Sequence, residues 1–406
     1  MRMINVGRKT ISGFITVNLC LMLTLAMSST SPRRSVRVET ISDVIGRQLN
    51  KDPNELTDAD YSGINKLKLE AGIRDISLLS KLTNLRSLQL DLVQISDISP
   101  LAKLNKLNTL KFSYDTVGAL ILKEMQGIDI NSDADIDINP ISNLIDIHTI
   151  EFNGIKINNF DALRNLINLD QLFLYDTKVE NLEPLANLTN LMRLRISGRE
   201  INNIDTIANL KKLQWLSINF TSVDDINAVA NLKNLREINI VYTPLKDINS
   251  FSELTNLDTL YLNNTKISDI GALKNLTNLE FVTIQDSQLT DIKAIANLKN
   301  IRKLVLNNTQ VSDISPLTNL IKLEALELTN TQVEDVRFLA NLNNLHSLDL
   351  TKTRVKDISP LNNLKTLQNL IIISTGISEQ QIFELQKSLP DLNIITKKPT
   401  YNGPLF

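Results

Sequence analysis

The sequence predicts an α/β solenoid, one elongated domain of stacked parallel strands, and three observations carry the prediction. Leu or Ile returns without a slip at Leu169, Leu191, Leu213, Leu235, Leu257, Leu279, Ile301, Leu323, Leu345 and Leu367, a step of 22 residues. Every return opens the same frame, as in Leu257-x-x-Leu260-x-Leu262-x-x-Thr265-x-Ile267-x-Asp269-Ile270-x-x-Leu273-x-x-Leu276. Inside the frame the L-x-L pair alternates in and out, the period of a strand. The second half ends in a tight turn that often holds proline, as at Ser99-Pro100, Ser315-Pro316 and Ser359-Pro360. One such unit cannot bury its apolar side alone, so the units must stack.

A fixed period of this length headed by L-x-x-L-x-L is the mark of a leucine-rich-repeat horseshoe. Its parts are a parallel concave β-sheet, a convex side of 3₁₀ or extended backbone, and helical N- and C-terminal caps. Proline and tight spacing in the returning half favour 3₁₀ or extended structure over a full α-helix. Taken in chain order, residues 1–28 read as a signal peptide. Arg2, Arg8 and Lys9 make its positive start, Ile11 to Met27 its apolar run, and Ala26 and Ser28 the small residues of a cleavage site. An uncleaved anchor is the rival reading, although Ser12, Gly13, Thr16 and Asn18 make the run short and polar for a span.

Residues 29–37, with Pro32, Arg33 and Arg34, form a linker, and 38–63 a helical N-terminal cap. Ile41, Val44, Ile45 and Leu49 keep helical spacing, Asp52-Pro53 breaks it, and a second short helix starts at Leu56 to Asp60. Residues 64–377 hold about fourteen repeats. Stacked at ~4.8 Å per strand, they make a sheet roughly 65 Å long. Between Leu107 and Ile147 the step is 40, which places an insertion at about 118–135, read either as a loop or as a degenerate extra repeat. Ser378 and Gln381 form a capping box that starts a helix running through Ser388. That helix and a strand, residues 378–395, close the far end, and 396–406 is a polar tail.

Composition excludes several classes of function. With 43 basic against 45 acidic residues and a net charge of −2, no basic face is available for nucleic acid. The single cysteine, Cys20, rules out disulfides and cysteine metal sites in the mature domain. Only two histidines, His148 and His346, are present, nine repeats apart, so no His-assisted nucleophile or histidine metal cluster is expected. No catalytic residues, metal site or cofactor are assigned, and the chain reads as a non-enzyme. The acidic column Asp97, Asp225, Asp247, Asp269, Asp291, Asp313, Asp335 and Asp357 suggests metal or catalytic work at first sight. Asn159, Asn181 and Asn203 replace it in the same register, so acceptance of backbone N–H groups at the turn is the better account. The stretch Asp129 to Asp137 alternates oxygen ligands as calcium prefers, but without the glycine and distal Glu of a calcium loop it reads as a solvated loop.

The functional signal lies in the outward strand positions, the third, fifth, seventh and eighth of each unit. Phe173, Tyr175, Trp215, Phe220, Tyr242, Tyr261 and Phe281 occupy them within one stretch of six strands, a width of roughly 25 Å. Seven of the chain's 18 aromatic residues (11 Phe, 6 Tyr, 1 Trp) thus gather on one stretch, with Arg193 and Arg195 between them. Beyond Phe281 the face turns polar, with Asn307, Asn308, Thr329, Asn330, Asp349 and Lys352. Aromatics and Arg rimmed by polar residues have the composition of a binding hot spot. The plainer account is lateral packing between neighbouring strands, which aromatic residues favour, with positions seven and eight tucked partly under the strand-to-turn bend. The nine residues Phe173, Tyr175, Arg193, Arg195, Trp215, Phe220, Tyr242, Tyr261 and Phe281 are the candidate partner-binding set.

Asn190-Leu191, Ile267-Ser268-Asp269-Ile270, Ile314-Ser315-Pro316-Leu317 and Leu185-Ala186-Asn187-Leu188-Thr189-Asn190-Leu191 resemble the repeats of bacterial internalin-type secreted proteins. The segment Ile41 to Gly63 resembles their helical cap. Thr177, Thr221, Thr243, Thr265, Thr309, Thr331, Thr353 and Thr375 stand where that family usually carries Asn, and no wall-sorting motif follows the repeats. The resemblance implies a secreted or envelope protein, monomeric and not inserted in a membrane after cleavage near Ser28. Its concave sheet would bind a macromolecule, a protein ligand first, in an adhesion or effector role. A carbohydrate-binding solenoid using the same aromatics, and an intracellular scaffold like the phosphatase-regulating 22-residue-repeat proteins, are the alternatives.

Overall fold

The computed structural model describes residues 39–70, 72–91, 95–114, 135–179 and 181–397. The signal-like segment 1–28, the linker 29–37, most of the 118–135 insertion with most of its acidic stretch, and most of the tail lie outside the described residues.

Two capped helices precede the repeats. Thr40 accepts the Asp43 N–H on Oγ1 (3.2 Å), while the Asp43 carboxylate accepts the Thr40 N–H (2.8 Å), a reciprocal cap that starts the helix Ile41–Leu49. The helix ends at Asn50 in the left-handed region and buries Ile41 and Ile45. Gly46 is required there, because a Cβ would lie 2.8 Å from the Lys51 carbonyl oxygen and 3.0 Å from Pro53. Thr57 and Asp60 repeat the reciprocal cap on the helix Asp58–Gly63, which buries Tyr61.

A 15-stranded sheet follows, every pairing parallel. Its first strands are β1 (Lys66–Leu69), β2 (Ser87–Asp91) and β3 (Thr109–Ser113). β4 (Asp135–Asp137) and β6 (Lys156–Asn158) form a separate two-stranded sheet, while β5 (Thr149–Asn153) continues the main one. Then come β7 (Gln171–Tyr175), β8 (Arg193–Ser197), β9 (Trp215–Asn219), β10 (Glu237–Val241), β11 (Thr259–Asn263) and β12 (Phe281–Thr283). The series finishes with β13 (Lys303–Val305), β14 (Ala325–Glu327), β15 (Ser347–Asp349), β16 (Asn369–Ile371) and β17 (Asn393–Ile395). Register follows the repeat: Ile238 faces Leu260 and Leu260 faces Val282. Across the irregular step, Thr109 of β3 pairs directly with Thr149 of β5. Among the described residues no strand of the main sheet lies between them.

Each column of the frame has one physical task. Leu257, Leu260, Leu262, Ile267, Leu273 and Leu276 are fully buried, and their equivalents in other units fuse into one continuous core. In most units the residue before the opening leucine is an Asn whose side-chain N–H₂ donates to a carbonyl one unit back: Asn190 to Ile167 (2.8 Å), Asn234 to Lys211 (2.7 Å), Asn256 to Lys233 (2.8 Å) and Asn300 to Thr277 (2.9 Å). In the Thr column, Thr309, Thr331 and Thr353 are buried and donate to the carbonyls of Leu306, Leu328 and Leu350, each at 2.7 Å. The hydroxyls of Thr177 and Thr243 are buried without a partner. Short 3₁₀ turns such as Gly271–Asn275 and Ser315–Leu317 form the returning side.

The acidic column starts those turns. Asp269 accepts the Gly271 N–H (2.7 Å), Asp313 that of Ser315 (2.8 Å) and Asp357 that of Ser359 (2.9 Å). Asn181 does the same for Glu183 (2.8 Å). The donated backbone N–H, helped by the serine hydroxyl, holds the carboxyls of Asp97, Asp313 and Asp357 below their ordinary pKa. A group depressed on folding contributes stability above its unfolded pKa, about 4, and loses it as pH falls through the lower folded value. Thermal melts are therefore expected to be flat from about pH 8 to about pH 5 and to fall only below about pH 4. The double variant Asp313→Asn, Asp357→Asn keeps the acceptor and should lose less at low pH; a decline beginning near neutrality would contradict this account.

At the far end the Ser378 hydroxyl caps the helix Glu379–Ser388 by accepting the Gln381 N–H. The sequence suggested a reciprocal capping box here, and only half of it forms. The Gln381 side chain turns away to accept the Ile358 N–H (3.3 Å), which ties the cap to the preceding unit.

Candidate ligand-binding face

All nine candidate residues lie on the same stretch of strands, at the positions the period assigns. They do not make one continuous cluster. Phe173, Tyr175 and Trp215 form a connected group, Phe173 lying 6.3 Å from Tyr175 and 6.1 Å, edge to face, from Trp215. The guanidinium of Arg193 sits 5.0 Å from the centroid of Trp215, and that of Arg195 sits 4.4 Å from Tyr175. Phe173 thus joins two Arg–aromatic stacks into one unit across β7, β8 and β9. The three rings and Arg195 are half-buried and Arg193 is exposed.

Phe220 and Tyr242 form a second, separate pair, stacked at 4.8 Å with planes 11° apart. They occupy the eighth position, where the chain leaves the strand, and both take positive φ, 55° and 57°. Asp176, Asn264, Asp286, Asn308 and Asn330 take the same conformation in other units. Asp and Asn adopt it readily, whereas bulky aromatics rarely do. These two rings are 50% and 52% exposed, so they are not held there by burial. Tyr261 and Phe281 stand apart from both groups. Tyr261 is flanked in register by Asn239 and Thr283, Phe281 by Thr259 and Lys303. The seventh position behaves differently from the eighth: Ser197 and Asn219 are buried there, and the Asn219 side chain accepts the Val241 N–H (3.0 Å). Tyr114, the aromatic nearest the insertion, packs partly buried against the core.

Beyond Phe281 the face satisfies itself. Glu327 receives both Lys303 (3.1 Å) and the Asn307 amide (2.9 Å), and Asn308 bonds to Asp286 (2.8 Å) and Asn330 (3.0 Å). One feature escaped the sequence reading. In the Leu191 unit the eighth and ninth residues are Gly198 and Arg199, where flanking units carry Asp176-Thr177 and Phe220-Thr221. The missing side chain opens a hollow of about 440 Å³ lined by Tyr175, Arg195, Arg199 and Phe220 among others. The break in the Thr column was the signal that could have found it. Among the described residues no helix is long and apolar enough to cross a membrane, and no group of His, Cys, Asp or Glu is arranged to hold a metal ion.

Stacked parallel strands, buried leucine columns and 3₁₀ returns define a leucine-rich-repeat protein. A family model described as a leucine-rich repeat region matches residues 118–359. The crystal structure of an internalin of Listeria monocytogenes, InlF, is similar over 81% of this chain and 94% of its own, with 30% identity and a TM-score of 0.71. The chain belongs to the internalin-like leucine-rich-repeat proteins of bacteria. The fold is also that of a leucine-rich-repeat protein of Leptospira interrogans (19% identity, 83% of this chain and 97% of that one, TM-score 0.66). A third similar structure, the functional domain of Listeria monocytogenes InlJ, includes a cysteine ladder (15% identity, 86% of this chain and 76% of that one, TM-score 0.63). No curated protein matches in sequence.

Proposed function

We propose that the protein is exported and binds a protein partner through the sheet face running from β7 to β12, in an adhesion or effector role. The carrying observation is the joined pair of Arg–aromatic stacks at Phe173, Tyr175, Arg193, Arg195 and Trp215. Rigid rings with two guanidinium groups, next to a self-satisfied polar face, supply contact area at small entropic cost, as binding hot spots do. Phe220, Tyr242, Tyr261 and Phe281 extend the same face. The family and its fold support a binding scaffold rather than a catalyst.

The test is capture of partners by residues 29–406 and by the variant Trp215→Ala, Tyr261→Ala. The variant should keep its circular dichroism spectrum and lose partner binding by roughly a hundredfold, the loss of two hot-spot side chains. Unchanged capture by a folded variant would overturn the assignment of the face. Export is checked separately by N-terminal sequencing of the secreted protein, which should begin close to residue 29; retention of residues 1–28 in the cytoplasmic fraction would instead favour the intracellular scaffold.

A further inference from the structure

Elsewhere on the sheet face, several basic side chains meet carboxylates: Lys68 pairs with Glu70 (2.9 Å), Lys111 with Glu151 (2.6 Å) and Lys303 with Glu327 (3.1 Å). β8 is different. Arg193 is flanked in register by Gln171 and Trp215, and Arg195 by Phe173 and Ser217, so neither adjacent strand offers a negative charge. Among the described residues neither guanidinium makes an ion pair. Both lie instead against aromatic faces, and the Nε of Arg195 is buried with no acceptor. The hollow opened by Gly198 lies beside Arg195 and is lined by a third guanidinium, Arg199, as well as by Asp176 and Glu200.

We infer that the partner presents an acidic polypeptide segment, two of whose carboxylates are received by Arg193 and Arg195. The inference rests on the binding-face reading above. The backbones of Arg193 and Arg195 stand roughly 6.6 Å apart along one strand, as residues two apart in an extended peptide do, while their guanidinium groups lean to opposite sides, over Trp215 of β9 and Tyr175 of β7. Each planar guanidinium fork matches a carboxylate in a paired, charge-assisted hydrogen bond. The cation–π contacts fix the forks before the partner arrives, which reduces the side-chain entropy lost on binding. A sugar chain is the poorer fit. Stacking on sugar needs open ring faces, and here Arg193 covers a face of Trp215, Arg195 covers one of Tyr175, and Phe173 packs against both rings.

Trp215 is the chain's single tryptophan, so its fluorescence reports on this site directly. The probes are a synthetic peptide of alternating Asp and Gly, its Asn and Gly counterpart, and an oligogalacturonate. The Asp peptide should change Trp215 emission saturably, with affinity falling roughly tenfold between about 50 and about 300 mM salt. Arg193→Gln with Arg195→Gln should abolish the response without moving the melting temperature, and Arg193→Lys with Arg195→Lys should retain part of it. An equal response to the Asn peptide, a response to the oligogalacturonate alone, or an unaffected double Gln variant would overturn the inference. Partner capture separates the two readings. If Trp215→Ala, Tyr261→Ala loses the partner while the double Gln variant keeps it, the face stands and the acidic segment fails.

Discussion

Replacing Phe220 and Tyr242 together by Asn is expected to make the protein more stable and a poorer binder. Both residues hold positive φ, 55° and 57°, a conformation that costs a bulky side chain about 1 kcal/mol more than Asn. Two such relaxations yield about 2 kcal/mol, against about 1 kcal/mol lost with the ring stack. Asn at these positions would also extend the amide ladder already formed by Asn330 and Asn308 (3.0 Å). The net change is a gain of about 1 kcal/mol, read as a higher denaturant midpoint. Partner affinity should fall roughly tenfold or more, because two half-exposed rings leave the face. The experiment decides between two accounts of the aromatics. If stability falls and binding does not, the rings serve lateral packing and the functional assignment of this pair is wrong.

The larger stability effect belongs to the core. Leu262 is fully buried on β11, in the middle of the stack, and Leu262→Ala should cost about 2–5 kcal/mol. A solenoid has no second layer to share the loss, since each unit touches only its neighbours. The cavity weakens the link between the two halves as well as the unit itself. Guanidinium unfolding should therefore shift to lower denaturant and also broaden, with a smaller slope, as the halves begin to melt separately. Leu370→Ala, beside the C-terminal cap, removes the same atoms near an end, so its transition should keep the slope. Equal slopes in the two variants would show that coupling between units is strong enough to hold the whole stack in one transition.

Most of the fold was readable because its rule is arithmetic. A leucine every 22 residues assigns each side chain to core, ladder or face, and the register Ile238 to Leu260 to Val282 follows that arithmetic. The Asp column was legible for the same reason: Asn in the same register ruled out a task that needs charge. What was not legible lay where one position depends on backbone conformation. The period placed Phe220 and Tyr242 on the face, and only the Asp and Asn that fill the same position in other units signal that the eighth residue is left-handed. Of the two positions read as tucking under the strand-to-turn bend, the seventh buries Ser197 and Asn219, whereas the eighth leaves Phe220 and Tyr242 half exposed. Spacing also could not separate Phe173, Tyr175 and Trp215, which interlock, from Tyr261 and Phe281, which stand alone. Ring contacts depend on rotamers, and a column of positions contains none. Gln381 shows the same limit at the C-terminal cap, where a local motif lost its side chain to the neighbouring unit.

The direct pairing of Thr109 with Thr149 has a further consequence for how this chain can change. Register on either side is set by the two strands themselves, so the length of chain joining Tyr114 to Asp135 does not enter it. Lengthening such a connection costs little, about 0.6 kcal/mol for each doubling. An insertion between Tyr114 and Asp135 should therefore leave each described strand of the main sheet paired with the neighbour it has now.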